Sequence, residues 1–192
     1  MAKRNTAKPR LRRPKWDEYF MALAWFAAAR STCLSRAVGA ILVKGTRVLM
    51  TGYNGQTPGS PHCEDMGCLR EAAAPGTKLD ECRVVHAEIN VITFAAKNGI
   101  PTDNTTLYCT HYPCYACAKN LISAGVKKVV YLIPYPSERT AKEFAGSSVE
   151  VKYFFNLVPY NSLDDFGKVV RSFLQATMQR MKGRSAKNDQ SK

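Results

Sequence analysis

Acidic side chains are missing from residues 1–15, which carry seven Lys or Arg, and residues 168–192 set seven more against the single acid Asp189. The net charge of +13 therefore sits on the two ends, because residues 16–167 balance 14 basic side chains against 14 acidic ones. A strongly basic protein invites a nucleic-acid reading. Charge confined to terminal arms weakens it, since such arms more often solubilise than bind.

Long apolar runs are also missing, and none approaches the roughly 20 residues of a membrane span. Residues 20–29 come closest, and after a basic start they imitate an export signal. Asp17 and Glu18 stand directly before them, however, and Trp25 and Arg30 fit an amphipathic helix that continues into Ser31-Thr32-Cys33. The Arg-rich start resembles an organelle transit peptide but lacks the serines of one. The expectation is a soluble, cytoplasmic protein. Without an export signal, the seven cysteines at 33, 63, 68, 82, 109, 114 and 117 point to metal or thiol chemistry more than to disulfides.

At 192 residues the chain suits one domain, and it carries no internal repeat. A first helix is expected from Pro14 and Asp17 to about Thr32. Apolar, β-branched runs at 38–44 and 47–53, joined across Gly45-Thr46, read as a hairpin. A Gly/Pro/Cys-rich loop follows over 54–83. Residues 86–98 repeat apolar positions at helical spacing, with Gly99 and Pro101 as the stop. Strands are expected at 105–110, 127–133 and 148–155, and helices at 114–124 and 137–145, the former opened by Pro113. Ser162 and Asp165 cap a last helix reaching about Met181. Single strands alternating with helices after a hairpin imply an α/β fold, with a mixed, largely parallel five-stranded sheet covered on both faces. The expected organisation is a basic arm over 1–14, a domain over 15–160, a terminal helix over 161–182 and a basic tail over 183–192. The arm and tail are expected to be disordered.

The chemistry concentrates at two helix starts. His86-Ala87-Glu88 opens one helix and Pro113-Cys114-Tyr115-Ala116-Cys117 opens the other. A spacing of three puts both cysteine sulfurs on one helical face, within reach of a single ion. Helix N-termini favour the thiolate forms that bind zinc. His86, Cys114 and Cys117 make three ligands and leave a fourth tetrahedral position for water, the mark of a catalytic zinc. Glu88 would take the water's proton, pass it to the ring nitrogen beside the attacked carbon and protonate departing ammonia. Alone, C-x-x-C can also be read as a thioredoxin-like redox pair. Together, H-x-E and P-C-x-x-C form the pattern of zinc nucleobase deaminases.

With these residues in view, the chain resembles the cytidine deaminase superfamily, and within it the deoxycytidylate (dCMP) deaminases. The resemblance covers about residues 33–135. It rests on Val38-Gly39-Ala40, Gly52-Tyr53-Asn54-Gly55, His86-Ala87-Glu88-Ile89-Asn90, residues 113–119 and residues 124–131. It implies a cytidine-deaminase-like three-layer α/β/α fold and deamination of dCMP to dUMP. Asn54, Ala87 and Tyr135 then become substrate contacts, with Asn54 on the sugar. From spacing alone Asn54 is a turn residue before Gly55. The resemblance further implies a homo-oligomer, a hexamer, in which the apolar face of Val169, Val170, Phe173, Leu174 and Met178 packs on the domain or on a neighbour. The effectors it implies are dCTP and dTTP. Two departures bear on this: Gln56-Thr57 intervene before Pro58 in the effector-linked loop, and Pro136-Ser137 replace an acidic residue after Tyr135.

Four further cysteines, Cys33, Cys63, Cys68 and Cys82, can form a closed zinc site that pins the long loop, or stand as scattered thiols. The resemblance matches Cys33 and Cys63 to a second, structural zinc, with His62 able to replace one of the other ligands. Cys109 reads as a buried thiol. Other substrates share the chemistry: dCTP, deoxycytidine, a modified deoxycytidylate, or a tRNA or single strand bound by the basic ends with stacking on Tyr112 and Tyr115. A zinc-stapled nucleic-acid binder without catalysis is the remaining class, and the intact Glu88 argues against it.

Overall fold

Gly45 takes the positive φ that a two-residue hairpin turn requires, and the apolar runs on either side pair as β1, Gly39–Lys44, and β2, Arg47–Tyr53. The structure, a computed structural model, describes residues 13–73, 77–78, 81–135 and 137–188. Most of the expected basic arm, Pro136 and residues 189–192 lie outside them. β1 pairs on its other edge with β3, Thr105–His111, again antiparallel. β4, Val126–Ile133, and β5, Glu150–Tyr153, then add in parallel, giving the order β2-β1-β3-β4-β5. The mixed five-stranded sheet is as expected. Its parallel pairs do not outnumber the antiparallel ones, because β1 runs against both of its neighbours.

Alternation along the strands sends side chains to two helical layers. One layer is α1, Trp16–Ala28, whose Phe20 ring lies 5.2 Å from that of Tyr108 on β3. Asp17 in its first turn accepts a 2.6 Å hydrogen bond from the Tyr108 hydroxyl, and burial beside that carboxylate holds the phenol proton firmly in place. The other layer is α3, Ala87–Lys97, with α4, Tyr115–Ser123, and α5, Glu138–Ala145. Ala87, Val91, Ala118, Leu121 and Phe144 from these helices form one core with Ala40, Leu42, Leu107, Cys109 and Val129 from the sheet. Cys109 is thus the buried thiol expected of it.

The hairpin is clamped between the layers at two glycines. A Cβ on Gly39 would collide with the α1 backbone at Ala24 and Ala28, and one on Gly52 would strike Ala87 and Val91 of α3. The loop after β2 contains a short α2, Cys63–Met66, that periodicity did not reveal. Beyond β5 the chain turns into a 3₁₀ segment, Phe154–Asn156, instead of continuing the expected strand.

The described residues form two units, 16–158 and the terminal segments 13–15 and 159–188. In the second, the Ser162 hydroxyl accepts from the Asp165 amide at 3.1 Å and donates to its carboxylate at 2.8 Å, the expected cap of α6, Leu163–Asn188. This helix outruns its expected end. Gly183 costs only about 1 kcal/mol, which Arg184, Ala186 and Lys187, all good helix formers, offset. Among the described residues no helix is long and apolar enough to cross a membrane.

The Gly39 contact is open to test. Gly39→Ala drives a Cβ into the α1 backbone, which cannot give way as a side chain could, so it should cost about 3 kcal/mol or more in denaturant unfolding. A loss under about 1 kcal/mol would mean that α1 does not sit this close to β1.

Candidate metal centre

Both ligand-bearing helices begin one residue later than expected, and this frees their first ligands. His86 at φ −67°, ψ 151° precedes α3, and Cys114 at φ −73°, ψ 169° precedes α4. Each is an N-cap residue in extended conformation whose side chain makes no capping bond. Their carbonyls already accept the first helical hydrogen bonds, from Asn90 and Ala118, both at 2.9 Å. Cys117 then lies within the first turn of α4. Two short connections aim the pair of helix starts at one another. Gly55 and Val85 exchange backbone hydrogen bonds of 3.1 and 2.8 Å just before His86, and the Tyr112 amide donates to Ile133 at 2.9 Å just before Cys114.

The His86 Nδ1 atom lies 3.5 Å from the Cys114 sulfur and 3.4 Å from the Cys117 sulfur. Ligands at tetrahedral zinc, with Zn–S near 2.3 Å and Zn–N near 2.05 Å, stand about 3.6 Å apart. The three donor atoms all fall within 4.8 Å of one another, so the residues fit the ion. Their electrostatics fit as well. Hydrogen bonds from Cys117 and His86 draw the Cys114 thiol down to about 4, and the thiolate holds the neighbouring His86 imidazolium up to about 9. Cys117, buried beside a sulfur that already carries charge, is pushed upward. Without metal the cluster is therefore an imidazolium–thiolate pair with one thiol behind it.

Glu88 is 4% exposed in the first turn of α3, and burial raises its carboxyl above the usual range. A carboxyl so shifted holds its proton more firmly than a free one, which suits a group that must both accept and return a proton. A cavity of about 360 Å³ opens on His86, Ala87, Glu88 and Cys114, and its wall includes Asn54 and Tyr135. Asn54 is buried, and its amide is engaged at both ends: Oδ1 accepts from the Val38 amide and Nδ2 donates to the Arg36 carbonyl, each at 2.8 Å. One hydrogen on Nδ2 and one lone pair on Oδ1 remain for a ligand.

Cys33, Cys63, Cys68 and Cys82 line the same cavity. Burial raises the Cys63 thiol, and the charges of the other three raise it further. These sulfurs do not close into a set as tight as the first cluster. His62 Nδ1 sits 3.1 Å from the Thr32 hydroxyl and 3.3 Å from Gln56 Oε1, away from the cavity wall. Tyr112 lines the cavity while packing edge-on to Tyr131 at 4.8 Å. Tyr115 is outside it, with the Arg139 and Lys119 cations 4.5 and 4.8 Å from its ring centre.

Among the cavity-wall residues that sequence reasoning missed are Arg36 and His111. His111 extends β3 one residue past its expected end, and its scarcity, as one of three histidines, was the available signal. Burial and the Arg36 charge lower its pKa. Arg36 precedes β1 with no marker in the sequence.

The match to known proteins agrees with this geometry. The family model for the cytidine and deoxycytidylate deaminase zinc-binding region matches residues 14–133. ComE operon protein 2 of Bacillus subtilis is 42% identical over 144 residues, 73% of this chain and 72% of that protein. The deoxycytidylate deaminase of Schizosaccharomyces pombe is 37% identical over 85% of this chain, which spans only 51% of that enzyme. The crystal structure of the dCMP deaminase from cyanophage S-TIM5, in complex with dCMP and dUMP, superposes with a TM-score of 0.63 at 33% identity, over 74% of this chain and 98% of that one.

Metal binding should be steeply pH-dependent. The ion must displace the proton that His86 holds to about 9 and the one on Cys117, so affinity falls as pH is lowered. Zinc titration against a chelating indicator between pH 6 and 8 should show a loss of roughly 100-fold per unit, two protons' worth. A pH-independent affinity would contradict this proton inventory.

Proposed function

The chain belongs to the cytidine and deoxycytidylate deaminase family, and on that premise we propose that it hydrolyses the amino group of dCMP, giving dUMP and ammonia for thymidylate supply. One observation carries the reading: a His-Cys-Cys cluster at zinc-ligand separations, with a buried carboxyl in the first turn beside it. Zinc held by His86, Cys114 and Cys117 supplies the Lewis acidity that makes water nucleophilic at neutral pH. The remaining chemistry falls to the chain. Glu88 accepts a proton from the attacking water and delivers it to the ring nitrogen next to the carbon under attack. It then carries the second proton to the amino group, which leaves as ammonia while the carbonyl forms. Ala87, at the cavity wall between ligand and acid, faces the base, and the spare valences of Asn54 serve the sugar.

The enzyme is placed in the cytoplasm as a homo-oligomer, a hexamer by family resemblance, with dCTP and dTTP as effectors. A reducing compartment suits its free cysteines. A second zinc is assigned to Cys33, Cys63, Cys68 and Cys82, with His62 as the substitute ligand. The buried Cys63 thiol, raised by burial and by its three neighbours, is relieved by a dication.

Three measurements test this. Pure protein offered dCMP, dCTP, deoxycytidine and an RNA hairpin should release ammonia fastest from dCMP; reaction with RNA alone would overturn the reading. Glu88→Ala should keep its metal and lose about a thousand-fold or more in kcat, whereas retained turnover would remove Glu88 from its role. Metal analysis should count two zinc ions per chain, falling to one in Cys33→Ser; a single ion in the parent defeats the second site.

A further inference from the structure

The family match ends at residue 133, and nothing assigned so far uses α6. This helix is anchored at its start. The Ser162–Asp165 cap closes the first turn, Lys168 pairs with Asp165 at 3.0 Å, and Phe166 is buried with its ring stacked on Tyr160 at 6.2 Å. Further along, apolar side chains come to the surface. Leu174 is 48% exposed and Met178 56%, and Val170 is half-buried. These three are spaced at i, i+4 and i+8, so at 100° per residue they fall within about 80° of arc and form one stripe along the helix.

The charge on the same helix has one sign. Beyond Asp165, α6 carries Lys168, Arg171, Arg180, Lys182, Arg184 and Lys187 and no acid. An apolar stripe among cations calls for a surface that is apolar and negative at once. A second copy of α6 does not supply one. It would set its own cations against these, and of the two first-turn acids Asp165 is already held by Lys168. A nucleic acid would take the cations and leave Leu174 and Met178 in water. The two aromatic rings of α6, Phe166 and Phe173, are buried and half-buried, so neither offers an open face for base stacking. A bilayer of anionic lipid meets both demands, with acyl chains beneath a layer of phosphate charge. No described helix is long and apolar enough to cross a membrane, so the fitting geometry is a helix lying in the plane of the interface.

We propose that α6 is a reversible membrane anchor, lying along an anionic bilayer with Val170, Leu174 and Met178 below the headgroups and its cations among the lipid phosphates. Asp164 and Asp165 stand at the end of the helix that enters last. The anchor rests on no part of the dCMP reading. It gives the positive charge of residues 168–192 a partner, and it would hold a cytoplasmic enzyme at a membrane surface without a spanning segment.

The test mixes the full chain with vesicles of phosphatidylcholine alone, or with about one-third phosphatidylglycerol, and reads the bound fraction by flotation. Binding should occur on the anionic vesicles only and should fall as salt rises from about 0.1 to 0.5 M. Arg171→Gln with Lys182→Gln removes two charges and should weaken binding roughly 20- to 30-fold, at about fivefold for each basic residue. Leu174→Gln with Met178→Gln keeps every charge and should weaken it roughly tenfold or more. Thermal melting and zinc content control for folding in both variants. Failure to bind anionic vesicles overturns the anchor. So does binding that the Leu174→Gln, Met178→Gln pair leaves unchanged, or a preference for an RNA hairpin over the vesicles, since either reduces α6 to a cationic arm. An oligomer that this pair dissociates, with no lipid bound by the parent, gives the stripe to a second copy and overturns the anchor as well.

Discussion

Two helices must start at one point for this protein to hold a metal, and the close approach of α3 to the β1–β2 hairpin is what puts the first of them there. Gly52 allows that approach, because any side chain at that position would strike Ala87 and Val91. Ala87 lies between the ligand His86 and the acid Glu88, so the same small residue that packs against the hairpin also sets both functional groups. On the other helix, Ala118 and Leu121 bury themselves in the same core one turn beyond Cys114 and Cys117. The metal ligands are thus an outgrowth of core packing. Their spacing is determined by how tightly two helices seat on a sheet.

Electrostatics explains why the cluster sits at helix starts. Three ligands and a carboxyl, gathered in a largely buried place, would repel one another if all were charged. The unpaired amides of two helix N-termini supply positive potential there, and the cluster further divides its charge between one thiolate and one imidazolium. Glu88 is left buried with a raised pKa. One arrangement therefore gathers three zinc-type donors and sets a buried carboxyl beside them. The second thiol group, along the same wall, lacks helix starts of this kind, since α2 is a single turn.

Much of this was legible from local pattern. The hairpin was visible because alternation and Gly45-Thr46 are adjacent in the chain, and the two ligand helices because three-residue spacing and stop signals are local. His86, Glu88, Cys114 and Cys117 could be named for the same reason. The helix starts were each misplaced by one residue, since an N-cap and a first helical residue carry the same sequence signals. The turn of α2 was hidden in a segment whose Gly and Pro content reads as loop. α6 runs past its expected end near Met181, because the cost of Gly183 is small beside the propensity of its neighbours.

Residue types and their spacing were enough to pick out the His86, Cys114 and Cys117 cluster and Glu88 as candidates, because coordination chemistry and helix periodicity act over a few residues. The direction of β1 between its neighbours, the placing of the four remaining thiols on the same cavity as the metal cluster, and that of Arg36 on its wall were decided only by the folded chain. These depend on contacts between residues 20 to 100 positions apart, whose cost of closure and packing no local pattern records. Asn54 shows the difference most plainly. Its side chain looked like a turn former beside Gly55, and the fold instead buries it as the clamp that holds residues 36–38 at the edge of the site.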